Sequence, residues 1–192
     1  MLIPLATAAG NHEYWLVSRA AGTAAMLFSS LAICIALYYR RVADDRERAI
    51  KLGALHELLG LATIVALAVH GFVLLGDNYL KPNFADIVVP FAEPFKRGHI
   101  AAGIVGGYVM TVLALLYYVR NKIGPARFKL IHRFTVVGWF LSVAHTFNTG
   151  TDTSDAWYLI VLMPFLIAVP VMFILRLVGG RKAGLQASPA PR

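Results

Sequence analysis

Long apolar runs separated by short polar stretches dominate this chain. Five runs stand out: Tyr14 to Tyr39, Leu52 to Gly76, Ile100 to Val119, Phe134 to Phe147 with its flanks, and Ala156 to Val178. Each supplies the roughly 20 residues that an α-helix needs to cross a hydrocarbon core of about 30 Å. A transmembrane β-barrel would show alternation with a period of two instead, and none is present. The pattern predicts an all-α integral membrane bundle of five transmembrane helices spanning residues 1–178. From about Gly179 the composition turns to Gly, Ala, Pro and Lys/Arg, which predicts a disordered tail over 179–192. With 58% hydrophobic side chains and a mean hydropathy of +0.66, the chain is too apolar for an ordinary soluble domain of its length. Its partner along most of its surface is membrane lipid.

Charge sets the predicted orientation. The formal net charge is +8, yet the basic residues form no soluble face and no nucleic-acid motif accompanies them, so a nucleic-acid partner is excluded. Arg40, Arg41, Arg46, Arg48 and Lys51 follow the first run. Arg120, Lys122, Arg127, Lys129 and Arg133 lie between the third and fourth, and Arg176, Arg181, Lys182 and Arg192 close the chain. These are 14 of the 18 Lys and Arg residues, in alternate connections. The positive-inside rule makes those connections cytoplasmic, which predicts an N-out, C-in protein of the inner (plasma) membrane. The first run lacks a basic n-region and is read as a retained helix rather than a signal peptide.

The outward connection, Asp77 to Gly98, carries Pro82, Pro90 and Pro94 around an apolar Ile87 to Phe91 suited to the interface. Gly103, Gly106 and Gly107 are spaced like small residues that let membrane helices approach closely. Pro164 and Pro170 are expected to bend the last helix, a tolerated feature in membrane spans. The lone cysteine, Cys34, falls inside the first run and is read as a structural thiol. No G-x-G-x-x-G fingerprint and no C-x-x-C pattern occurs, so the chain is not expected to take electrons from a nicotinamide cofactor by itself.

Four of the six histidines fall in two apolar runs: His56 and His70 in the second, His132 and His145 in the fourth. An ionisable side chain within a span is costly, faces the bundle interior, and marks a candidate functional site. Both runs follow a cytoplasmic connection and are therefore parallel. His56 and His132 then share the inner level, and His70 and His145 the outer one. Two imidazoles per level suit the axial positions of a haem iron, and a bundle core is where such cofactors sit. At 1.5 Å per residue, the step from His56 to His70 is about 21 Å, enough to place one haem b in each leaflet. A zinc site needs ligands converging on one point, which that step forbids within either pair. One mismatch stands out. His56 and His70 lie within about 40° of one helix face, whereas His132 and His145 would be about 140° apart on a straight helix. Either the fourth run is distorted, with Gly138 a plausible place, or its ligands approach from different sides. Arg127 and Arg133, near the inner level, are suited to haem propionates or simply to the positive-inside pattern. His12 and His99 belong to the outer surface, with a minority role for His99 near the outer haem or a substrate site.

The spacing H-x13-H in one helix and H-x12-H in a later one, with His-Arg in "FKLIHRFTVVGW", resembles the ferric reductase-like transmembrane domain. That family includes ferric reductases, NADPH oxidases and the haem-binding subunit of the periplasmic methionine sulfoxide reductase system. The resemblance covers roughly Leu52 to Val178. It implies two stacked haems b ligated by His56, His70, His132 and His145, with electrons passing outward from the cytoplasmic side, and it carries the same uneven spacing. Family oxidases commonly have six helices and a fused flavin and nicotinamide domain, so five runs imply a stand-alone membrane subunit. The expected function is transmembrane electron transfer from a cytoplasmic flavin reductase or quinol to an outer acceptor, ferric iron or a periplasmic redox partner. The alternatives are a small transporter or channel whose histidines and Glu57 relay protons or bind a metal, and a haem-free scaffold subunit.

Overall fold

The computed structural model describes residues 13–38 and 45–186, with side chains of the last helix described through residue 178. His12, Arg40, Arg41 and Arg192, and the side chains of Arg181 and Lys182, lie outside the described residues. Among those described the chain is helical throughout, without a strand. In chain order the helices are α1 (Glu13–Tyr38), α2 (Arg46–Phe72), α3 (Phe84–Val88), α4 (Arg97–Leu115), α5 (Arg120–Ile123), α6 (Pro125–His132), α7 (Thr135–Thr149) and α8 (Ala156–Gln186). Tight turns of 3₁₀ helix extend α2 to Gly76 and α4 to Val119.

Among the described residues four helices are long and apolar enough to cross a membrane: Glu13–Tyr38, Arg46–Gly76, Arg97–Ile123 and Ala156–Val178. That makes this a membrane protein. The fourth apolar run differs from expectation. Its helix α7 has 15 residues, about 22 Å of rise, short of a hydrocarbon core. The last helix continues to Gln186, past the Gly179 at which the composition changes. It contains both Pro164 and Pro170.

Small residues make α1 the centre of the bundle. Ser18, Ala25, Ser29, Ser30 and Ala32 are buried along it, and their short side chains let neighbouring helices come close, the usual route to membrane helix packing. α1 packs most extensively on α2 and also meets α7 and α8, while α4 packs chiefly on α7. Met26 and Ile33 from α1, Met110 from α4, Trp139 from α7, and Leu162 and Val169 from α8 form the core. Trp139 is fully buried, and its indole N–H donates to Ser30 Oγ at 2.8 Å, which donates on to the Met26 carbonyl at 2.6 Å. No polar atom of that relay is left unmatched in the apolar interior.

The α4–α7 contact depends on glycine. A Cβ on Gly106 would lie 2.8 Å from the Gly138 carbonyl, and one on Gly138 would lie 3.1 Å from the Gly106 carbonyl. The Asp77 to Gly98 connection folds back onto the bundle. Asn83 and Asp86 form a reciprocal capping box that starts α3. Phe84 stacks on Phe72, the Tyr108 hydroxyl donates to the Val88 carbonyl, and Lys96 Nζ donates to the Asn148 carbonyl at 2.5 Å.

Candidate haem-ligating histidine pairs

Each of the four histidines of the two apolar runs is anchored the same way. His56 Nδ1 lies 2.9 Å from the Ala32 carbonyl, His70 Nδ1 2.8 Å from that of Ser18, His132 Nδ1 3.1 Å from that of Leu113, and His145 Nδ1 2.9 Å from that of His99. A carbonyl only accepts, so each Nδ1 carries the proton and donates. That fixes the tautomer and leaves Nε2 with its lone pair, the arrangement of metal-ligating histidines, whose other nitrogen donates to a carbonyl or carboxylate. Ser18 holds His70 a second time, because its Oγ donates to the His70 carbonyl at 2.7 Å.

The anchoring helices differ from the ligand helices. Carbonyls of α1 hold both histidines of α2, and carbonyls of α4 hold His132 and His145. The rings therefore extend from two separate pairs of helices, α1 with α2 and α4 with α7, toward one another. α2 and α7 themselves are not in extensive backbone contact. Across the space between them His56 meets His132 with ring centres 6.1 Å apart and planes at 82°, and His70 meets His145 at 6.2 Å and 78°. The order of the pairs makes α2 and α6–α7 parallel, as the sequence predicts. Among the described residues no group of three or more His, Cys, Asp or Glu side chains gathers at one point; the histidines come in two pairs.

Those distances suit one metal ion between two imidazoles. Metal–nitrogen bonds of about 2.0–2.1 Å, with roughly 1.1 Å more from each nitrogen to its ring centre, put two opposed rings about 6.3 Å apart. Glycines make room for the outer rings. A Cβ on Gly22 would lie 2.8 Å from His70 Nδ1, and one on Gly103 would lie 2.5 Å from His145 Nδ1. Gly53 and Gly60, one turn to either side of His56, would meet nothing within 4 Å and leave the helix surface around that ring open. The His56–His132 pair has an aromatic support instead: Phe128 stacks on His132 with centres 5.0 Å apart.

Comparison with protein-family models, curated proteins and solved structures returned no match.

The angular mismatch between His132 and His145 has a local cause. The helix breaks at Arg133 and Phe134, between α6 and α7. Phe134 N–H bonds to Ile131, Val136 N–H to Arg133 and Val137 N–H to Phe134, all three residues back rather than four. Each such step turns about 120° instead of 100°, so three of them remove roughly 60° of the 140° offset. Thr135 contributes to the break, because its hydroxyl donates to the His132 carbonyl at 2.7 Å and competes for the acceptor that the next helical N–H would use. Gly138 is not the site of distortion; it serves the contact with Gly106.

Arg127 and Arg133 are both exposed, beside His132 on and just after α6, and make no ion pair among the described residues. Glu57, next to His56, accepts from the Tyr118 hydroxyl at 2.8 Å. His99 has an exposed side chain, and what reaches the site is its carbonyl. The three glycines of α4 divide by role: Gly106 packs helices, Gly103 clears space for His145, and Gly107 faces nothing within 4 Å.

Proposed function

We propose that this protein is a di-haem b electron carrier of the inner (plasma) membrane, related to the ferric reductase-like transmembrane family. The observation that carries the proposal is the repeated site: two cross-helix histidine pairs, each ring held by Nδ1 to a backbone carbonyl, which leaves each Nε2 as the unprotonated nitrogen. His56 and His132 would hold the inner haem, and His70 and His145 the outer one. A bound haem supplies one-electron exchange between ferric and ferrous iron.

The chain's own groups supply the rest. The four backbone carbonyls increase imidazole basicity and keep each ring oriented through an electron exchange, so little reorganises. Arg127 and Arg133, exposed on and just after α6, would serve an inner propionate through charge-assisted hydrogen bonds from guanidinium. α6 and α7 together cross as one broken span, giving five crossings. At the break the His132 carbonyl keeps a partner, because the Thr135 hydroxyl donates to it.

The basic connections support an N-out, C-in orientation. They also suit an acidic docking surface on a separate cytoplasmic flavin reductase, which would feed the inner pair. Electrons then leave from the outer pair to ferric iron or a periplasmic redox partner.

Single substitutions test the ligand assignment. His56→Ala or His132→Ala is expected to remove the inner haem alone, and His70→Ala or His145→Ala the outer haem alone, read as haem content per chain. A variant at any of the four that keeps both haems with unchanged spectra removes that residue from the ligand set.

A further inference from the structure

At the end of the bundle where α1 begins and α2 finishes, a carboxylate is buried beside a small cavity. The apolar span of α2 ends at Gly76 and that of α1 starts at Glu13. A Cβ on Gly76 would lie 2.5 Å from Tyr14 Cε1, so glycine there lets the chain leave its helix this close to α1. Asp77 follows directly. Together with Trp15, Tyr79 and Leu80 it lines a cavity of about 160 Å³.

Asp77 organises this cavity. Its Oδ1 accepts from the Tyr79 N–H at 2.9 Å and from the Leu80 N–H at 2.8 Å, a turn that sets both residues beside the carboxyl group. The other oxygen, Oδ2, is buried and meets no donor among the described residues, and the whole residue is only 3% exposed. A buried acceptor without a donor is costly, more so when it carries charge. Neighbouring cations do not serve it. Arg19, over the Trp15 ring at 4.2 Å, is committed to Asp152. Lys81 is exposed, and its backbone N–H donates to the Asp77 carbonyl at 3.2 Å, which keeps this cation at the rim.

We propose that Asp77 binds the primary ammonium of an aminophospholipid head group of the phosphatidylethanolamine type, with the phosphate toward Lys81 and the acyl chains along the bundle surface. An oxygen that lacks a donor calls for a cation bearing N–H, which a quaternary ammonium does not have. A hard metal ion wants six or more oxygen ligands, and no group of three or more His, Cys, Asp or Glu side chains gathers among the described residues. The cavity is smaller than the roughly 300 Å³ at which sites begin to enclose a whole small molecule. It therefore takes a head group and leaves the remainder outside. Its place at the end of two apolar spans, with Trp and Tyr in the lining, is that of a membrane–water interface, and the aromatic lining favours a cation further. Exposed Leu16, Phe72 and Leu75 on the adjoining turns offer an apolar surface to the acyl chains. Tyr79 is 77% and Leu80 51% exposed, so the ammonium reaches Oδ2 by rotation of surface side chains.

The test uses the full chain in detergent micelles, native mass spectrometry, and dioleoyl phospholipids that differ only in head group. Phosphatidylethanolamine is expected to bind about tenfold or more tightly than phosphatidylcholine, the scale of one charged hydrogen bond. Asp77→Asn keeps an oxygen for the turn and replaces the other with an amide NH₂, so it is expected to bring phosphatidylethanolamine down to the phosphatidylcholine level. If that variant does not fold, Leu80→Trp, which fills the cavity from its exposed wall, is expected to do the same. Lys81→Gln is expected to weaken both lipids alike, because both carry the phosphate. Equal binding of the two lipids by the native chain, or a preference retained in folded Asp77→Asn, overturns the proposal. So does competition by O-phosphoethanolamine as strong as that of the intact lipid, which assigns the site to a soluble ammonium, or displacement of the lipid by equimolar calcium, which assigns it to a metal. None of these measurements involves haem, so their outcome is separate from that of the di-haem reading.

Discussion

Gly103 offers the sharpest perturbation of the outer pair, because its replacement touches the imidazole without touching a ligand. A Cβ built there lies 2.5 Å from His145 Nδ1 and 2.6 Å from Cγ, where ordinary van der Waals contact begins near 3.4 Å. In Gly103→Ala the ring or the helix must therefore move by about 0.9 Å, roughly the excess of overlap that overpacking penalises. Helix separation is opposed by the carbonyl-level contact of Gly106 with Gly138 one turn away. The ring moves instead, and the Nδ1 bond to the His99 carbonyl, 2.9 Å in the native protein, lengthens or breaks. Loss of such a supporting bond typically costs about 10–100-fold in metal affinity, or about 1.4–2.8 kcal/mol. Haem titration of purified Gly103→Ala is expected to show that loss at the outer site alone, with the inner haem intact. Gly98→Ala, in the first turn of the same helix and with nothing within 4 Å, is the control and is expected to be silent. Full occupancy and native spectra at both sites in Gly103→Ala would refute the outer-site geometry.

Two further outcomes follow from the charge distribution. A reporter fused after Arg192 is expected to be active only in the cytoplasm; periplasmic activity would invert the order of the two pairs and the direction of the electron path. The haems are expected to be reduced by dithionite, and by NADPH only once a flavin reductase is added, at a rate that falls with salt as the docking charges are screened. Rapid reduction by NADPH in the chain alone contradicts that partner, and reduction by a quinol analogue independent of salt points to a quinone-linked supply.

Much of the candidate site was legible because the signals are local and chemically rare. Histidines in apolar runs stand out, and the expectation that the two runs are parallel sufficed to pair His56 with His132 and His70 with His145. The supports were not legible. His70 is held by a carbonyl 52 residues away and His145 by one 46 away, and backbone groups carry no mark in the sequence. Gly22 had a visible signal, a glycine within an otherwise good helix, but its purpose depends on which ring faces it. A distorted fourth run was one of two expected readings, but its place was not legible: the break comes from three shortened bonds around Arg133 and Phe134 and from the Thr135 hydroxyl. Gly138, the expected weak point, is instead a place of close packing. The fold of the Asp77 to Gly98 connection on Phe72 and Tyr108 was not legible, because it required the packed helices.

The most direct test of the central claim is the spectrum and haem stoichiometry of the purified protein. The account predicts a red protein with two haems b per chain, a Soret band and a reduced α-band of b type, and the low-spin signature of iron held by two imidazoles. A colourless protein, from cells supplied with haem and folded by the criterion of its helical content, would contradict it.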